Sequence, residues 1–175
     1  SVPNEFAKNN KVYLHREGSG WPGKTFPDEH WNVIKEQLSD KLEFTEGRYF
    51  ENFNDLLVEL SKHSYYIGTD SGIMHLALGL GLKCLIVAGA ALPEFTCMPY
   101  VEKGQAISIQ ADIKDLPCLG CKHKMFFEIM NNNQITFVSP CKNPKGPLCM
   151  TGLDPIEVSK VITNETKIKE ELIEN

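Results

Sequence analysis

Apolar and polar positions alternate in blocks along this chain, and the period changes from block to block. "KVYLH" (11–15) reads as a short strand, and the Gly- and Pro-punctuated stretch 16–27 after it reads as a loop. Asp28 is a good N-cap for "EHWNVIKEQLSDKL", in which Trp31, Ile34 and Leu38 recur at helical spacing. The stretch 50–63 repeats that spacing through Phe53, Leu56, Leu57 and Leu60. A strand "SYYIG" (64–68), an apolar helix "GIMHLALGLG" (72–81) and a strand "KCLIVAG" (83–89) come next. Beyond residue 90 the texture turns to Pro, Cys and Lys in irregular order. Asp154 as N-cap, Pro155 at the first helical position and Glu157 three after the cap predict a closing helix over 154–175. Strand and helix in alternation predict an α/β fold: a Rossmann-like parallel sheet with its ligand at the carboxyl ends of the strands. At 175 residues, with no internal repeat, one domain is expected over 1–175, including a Cys-containing segment 112–152.

The segment "YYIGTDSGIMHLALGLG" (65–81) carries the chemistry. A strand running straight into a helix leaves free amide N–H groups at the helix start, and the helix dipole makes them an anion site. Gly68 and Gly72 allow close approach of a ligand, Thr69 lies in the same turn, and Ser71 supplies a hydroxyl. His75 falls in the first helical turn, where a protonated ring would neutralise part of an anion. Asp70 is the odd member, since a phosphate repels it. Its expected role is to hold the loop through backbone N–H groups or to accept from a sugar hydroxyl. The plainer reading makes Asp70 or Ser71 a simple N-cap and His75 a buried polar residue. A helix needs one cap, however, and here four polar or Gly positions stand where one would do.

"GTDSGIMHLALGLGLKCLIVAG" resembles the signature of glycosyltransferase family 9, the ADP-heptose-type enzymes, in which a strand leads into D-S/T-G-x-x-H and then a helix. "GKTFPDEHW" (23–31) is similar to the family's K-x-W-P-x-x-x-W segment, with Phe26 where Trp is common. "CLGC" and "CMTGLDPIEVSKVI" (149–162) resemble its Cys-containing tail and last helix. The resemblance implies the C-terminal, donor-binding half of a GT-B enzyme. The implied substrate is a nucleotide-diphosphate sugar, ADP-heptose, for transfer to a lipopolysaccharide core or a protein acceptor. It implies that Asp70 contacts the transferred sugar and that Gly72 and His75 approach the diphosphate. Lys24 would face the phosphates as a fixed cation, Ser19 would lie in a phosphate-contacting turn, and the base would lie near 88–100. A second βα unit is expected between the 28–42 helix and the "DSG" strand, but only "SDKLEFTEGRYFEN" is available. Glu46 is therefore the nearest counterpart of the acid that holds the ribose. The family's acceptor domain, which supplies the general base, has no counterpart here, so the chain alone is expected to be inactive.

Charge and cysteine content adjust this picture. Lys and Arg number 18 against 23 Asp and Glu, a formal charge of −5, which argues against nucleic acid as a partner. No apolar run reaches the length of a membrane span, and "SVPNEFAKNN" lacks a signal-peptide core. The expected location is the cytoplasm, with peripheral association at the inner membrane. The first residue is Ser, as expected of a fragment or a processed chain. Cys118, Cys121, Cys141 and Cys149 form a C-x2-C pair and a wider pair among lysines, a set suited to structural zinc, with iron the other candidate. Four independent thiols, or disulfides formed on isolation, are the alternative. Cys84, in an apolar strand, is expected in the core. The competing function is a catalytically inactive nucleotide-binding or scaffold module with a metal-stapled loop. A dehydrogenase is a poor fit, because no G-x-G-x-x-G follows the first strand.

Overall fold

The structure, a computed structural model, describes residues 9–16, 21–121, 141 and 143–166. Five strands make one sheet: β1 (Lys11–His15), β2 (Glu43–Glu46), β3 (Tyr65–Thr69), β4 (Lys83–Val87) and β5 (Ala106–Ile109). Their order is β2-β1-β3-β4-β5 and every pairing is parallel. The α/β, Rossmann-like architecture is therefore the one the alternating pattern predicts. The helices are α1 (Asp28–Leu38), α2 (Phe53–Leu60), α3 (Gly72–Gly79), α4 (Pro93–Thr96), α5 (Met98–Glu102), α6 (Leu148–Thr151) and α7 (Pro155–Glu165).

The central strands are buried on both faces, which is why they read as continuous apolar runs. Val12, Leu14, Ile67, Leu85 and Val87 face a core closed by Trp31, Ile34 and Leu38 of α1 and by Val158 and Ile162 of α7. Tyr13, Tyr66, Cys84 and Ile86 face a second core with Leu60 of α2 and Met74, Ala77 and Leu78 of α3. Cys84 is thus a core residue, its thiol pushed up in pKa by burial. Phe26 packs edge-on to Trp31 at 4.7 Å, so the position where the resemblance has Trp serves the first core.

Local sequence sets the helix ends. Ser71 caps α3 by accepting from the Met74 amide. The helix stops where Gly81 takes a φ of 88° and the amides of Gly81 and Leu82 turn back to Leu78 and Ala77. Asp154 caps α7 by accepting from the Ile156 amide, as its position predicts, whereas Glu157 pairs with Lys160. Asp28 differs from its expected role. It is the first helical residue, and Pro27 occupies the cap position without a side-chain bond. Residues 167–175 of the expected last helix lie outside the described residues.

Two strands escape the pattern. β2 is "EFTE", an edge strand with charged, exposed ends, and β5 is "AISI" inside the stretch that reads as irregular. Pairing with β1 and β4 makes them strands, not their own periodicity. β2 with α2 supplies a βα unit between α1 and β3, which corrects the expectation that the intervening residues are too few. No helix of the described residues is long and apolar enough to cross a membrane.

Candidate functional site

The strand order places a topological switch point between β1 and β3. From β1 the chain moves outward to β2, then crosses back to β3, so the helices on either side diverge. In sheets of this order, ligands bind in the crevice outside the carboxyl ends of those strands. His15 ends β1; Gly68 and Thr69 end β3, and Asp70 and Ser71 lead into α3. A 3-10 turn, Pro22–Lys24, brings Lys24 to the same edge.

Asp70 and Lys24 are both buried, at 5% and 7% exposure, and form an ion pair. The Lys24 ammonium also donates to the Asp70 carbonyl at 3.2 Å. Lys24 is therefore not a solvated loop lysine. Among the described residues no backbone amide donates to the Asp70 carboxylate, and the Lys24 cation is its buried partner. His75 approaches from the other side, its Nε2 3.9 Å from Asp70 Oδ1, with 48% of its side chain exposed. The imidazole faces the crevice and not the core.

Ser71 is the helix cap of the plain reading, but the cap leaves amides over. Its Oγ takes the Met74 N–H at 3.2 Å. No described residue accepts from the amides of Gly72 or Ile73, and a Cβ added at Gly72 would meet nothing within 4 Å. Two oriented N–H groups at an eight-residue helix start thus border open space beside an imidazole. Thr69 is fully buried, and its hydroxyl oxygen has no hydrogen-bond partner among the described residues.

Tyr66, on β3, holds this turn from beneath. Its hydroxyl donates to the Thr69 carbonyl at 3.0 Å and lies 3.1 Å from Ser71 Oγ. A phenol has one proton and a carbonyl only accepts, so the Ser71 hydroxyl donates to the phenol oxygen. Burial pushes the Tyr66 phenol above the usual tyrosine range, so it stays protonated. Gly68 makes room for this reach: a Cβ there would come 2.6 Å from both the Tyr66 hydroxyl and the His15 carbonyl. The absence of a Cβ at Gly68 therefore serves internal packing at this turn. A Gly two positions after a Tyr on one strand face is the signal that could have revealed it.

Glu46 does end a strand, β2, and is exposed, but both its oxygens are already paired. Arg16 donates to both its oxygens at 2.9 and 2.7 Å, and Lys35 donates at 2.8 Å. The Arg16 hydrogen bonds foremost, then Lys35, hold this carboxyl below its usual range. Ser19 lies outside the described residues.

The four cysteines meet on the neighbouring side of the same edge. Cys118, Cys121, Cys141 and Cys149 line one cavity of ≈ 20 Å³, together with Trp21, Pro22, Gly23 and Ala90. The Cys149 thiol is pushed up to about 12, first by burial and then by the charges of Cys121, Cys141 and Cys118. Among the described residues no three His, Cys, Asp or Glu side chains are already arranged to hold a metal ion. The thiols border a shared space without closing on one centre. The sheet edge meets them tightly, since a Cβ at Gly89 would sit 2.7 Å from Cys149 Sγ.

No protein-family model matches the chain, and no curated protein matches its sequence. A solved structure does match: the bacterial iron-containing dodecameric glycosyltransferase TibC from enterotoxigenic E. coli, with a TM-score of 0.59 and 15% sequence identity. The fold is one that a glycosyltransferase uses. The match takes in 89% of this chain and 46% of that one, so the chain spans less than half the length of TibC. At this identity the likeness is one of fold.

Proposed function

We propose that this chain is the donor-binding domain of a glycosyltransferase whose substrate is a nucleotide-diphosphate sugar. The resemblance of "DSGIMH" to family 9 makes ADP-heptose the donor. A facing C-terminal-to-N-terminal domain pair of the GT-B kind would bring a lipopolysaccharide-core or protein acceptor. The observation that carries the reading is the meeting of Lys24, Asp70 and His75 beside the open amides of Gly72 and Ile73, at the switch point of a parallel sheet. In the reaction, an acceptor hydroxyl oxygen forms a bond to the anomeric carbon while the bond from that carbon to the diphosphate oxygen breaks. The hydroxyl proton goes to a base outside this chain. The developing charge on the leaving diphosphate falls to the helix start, His75 and the Lys24 cation, fixed dipoles and charges that need no reorganisation. Asp70 orients Lys24 and His75 and accepts from a hydroxyl of the sugar.

Calorimetric titration of ADP and UDP into wild type and His75→Ala tests the reading. Measurable affinity in wild type, weakened roughly tenfold by the loss of one hydrogen-bonding partner, is the expected result. Absence of affinity for either nucleotide overturns it. The chain by itself should show no sugar transfer.

The four thiols fit a structural ion in kind and number, and they share one cavity. Zinc suits four thiolates best and iron next; TibC is described as iron-containing. Bound there, the ion would supply a cross-link and no reaction step. The residues that transmit its effect are Trp21, Pro22 and Gly23, which line the same cavity and carry the turn to Lys24. Protein purified without added metal should contain close to stoichiometric zinc or iron, and elemental analysis finding neither removes the assignment.

A further inference from the structure

We infer that Tyr66 is a positioning residue of the anion site: its phenol holds the Ser71 hydroxyl on the Met74 amide and so leaves the Gly72 and Ile73 amides to a ligand. This deepens the donor-binding reading above and rests on it.

A side chain at a helix cap accepts from the second or the third helical amide, and the one it takes is closed to any ligand. The helices of the described residues have three side-chain caps, and they divide on this choice. Asn52 takes the second amide of α2, that of Asn54, and Asp154 takes the second of α7, that of Ile156. Ser71 takes the third of α3, that of Met74, at 3.2 Å. A serine oxygen is able to reach either amide, so its other contact fixes where it sits.

That contact is the phenol. Tyr66 Oη lies 3.1 Å from Ser71 Oγ, and its own proton goes to the Thr69 carbonyl at 3.0 Å. With the phenol proton committed, the Ser71 hydroxyl supplies the one between the two oxygens. For the same reason His15 Nδ1, 3.4 Å from the phenol oxygen, pairs with it only as a donor. Tyr66 is fully buried, so water does not stand in for these partners. The Ser71 oxygen is thus anchored to the sheet on one side and to Met74 on the other.

Two consequences follow for a bound anion. The Ser71 proton is used inside the protein, so Ser71 serves a diphosphate through the amides it leaves open and not through its own hydroxyl. Holding the Thr69 carbonyl beneath the turn also keeps an acceptor that would repel the anion out of the crevice.

Tyr66→Phe removes one oxygen and keeps the ring that fills the core, and circular dichroism would verify the fold. Amide hydrogen exchange followed by NMR gives the direct test. In wild type the Ile73 amide should exchange faster than that of Met74. In Tyr66→Phe the released Ser71 hydroxyl should slow Ile73 and speed Met74. Calorimetric titration of inorganic pyrophosphate should show affinity reduced roughly three- to tenfold, the scale of one hydrogen bond. In a Ser71→Gly background, which has no hydroxyl to swing, Tyr66→Phe should lose no further affinity. Unchanged exchange at both amides, or the same loss of affinity in both backgrounds, overturns the positioning role. If Tyr66→Phe binds pyrophosphate as wild type does while His75→Ala binds it less well, that role falls and the donor-domain reading survives. Failure of wild type to bind either pyrophosphate or ADP removes both.

Discussion

Two regions of this molecule line the same edge of one sheet and are built in different ways. At the switch point, two strand ends, a helix start and a short turn converge. Their charged groups are already paired: Lys24 with Asp70, and Asp70 within 3.9 Å of His75. The cysteine region brings four thiols around a cavity of ≈ 20 Å³ from segments with little regular structure, and they stop short of a common centre. The first is set by parallel pairing and buried electrostatics, so the folded chain itself completes it. The second places like groups together, and burial together with mutual repulsion raises the Cys149 thiol. A bound cation would favour the thiolate forms that burial opposes. The difference teaches that a preformed site and a site completed by its ligand can share one scaffold.

The largest expected effect breaks the first region. Asp70→Ala leaves the Lys24 ammonium buried without its partner, and loss of one member of such a pair costs about 3–5 kcal/mol. Urea unfolding should show that loss, and a value below about 1 kcal/mol would mean that the pair is not desolvated as its burial implies. Gly68→Ala comes next. The new methyl group meets the Tyr66 hydroxyl and the His15 carbonyl at 2.6 Å, and overpacking of this kind costs typically 1–3 kcal/mol. The same change should weaken pyrophosphate binding, because Tyr66 holds the carbonyl of Thr69 and the cap of α3.

Metal removal sharpens the contrast. Chelation should speed proteolysis between residues 112 and 152 and weaken ADP binding only a few-fold, through the turn that carries Lys24. Loss of nucleotide affinity as large as that of His75→Ala would show that the two regions are one unit. The smallest effect lies at the sheet edge. Arg16 and Lys35 hold the Glu46 carboxyl below its ordinary value near 4.5. Its contribution is therefore present in full above that value and is lost as pH falls through the folded-state value. Exposed pairs contribute roughly 0.2–1 kcal/mol, so Glu46→Gln should lower stability by that much at neutral pH. The variant should also lose less than wild type on acidification below about pH 4.5. A steeper acid loss in the variant would contradict the pairing.

Much of the fold was legible because β1, β3, β4 and the helices α1, α3 and α7 carry their own apolar period, and a period of two or of 3.6 is a local property. The polar set at 69–75 was legible too, since a strand that runs directly into a helix start must leave amides behind. Local sequence said nothing dependable about "EFTE" and "AISI", whose strand state comes from a neighbour's hydrogen bonds. It also did not foretell that Lys24 meets Asp70, 46 positions away, or that Gly68 yields its space to Tyr66. Those facts depend on distances between segments remote in the chain, which packing sets and periodicity does not contain.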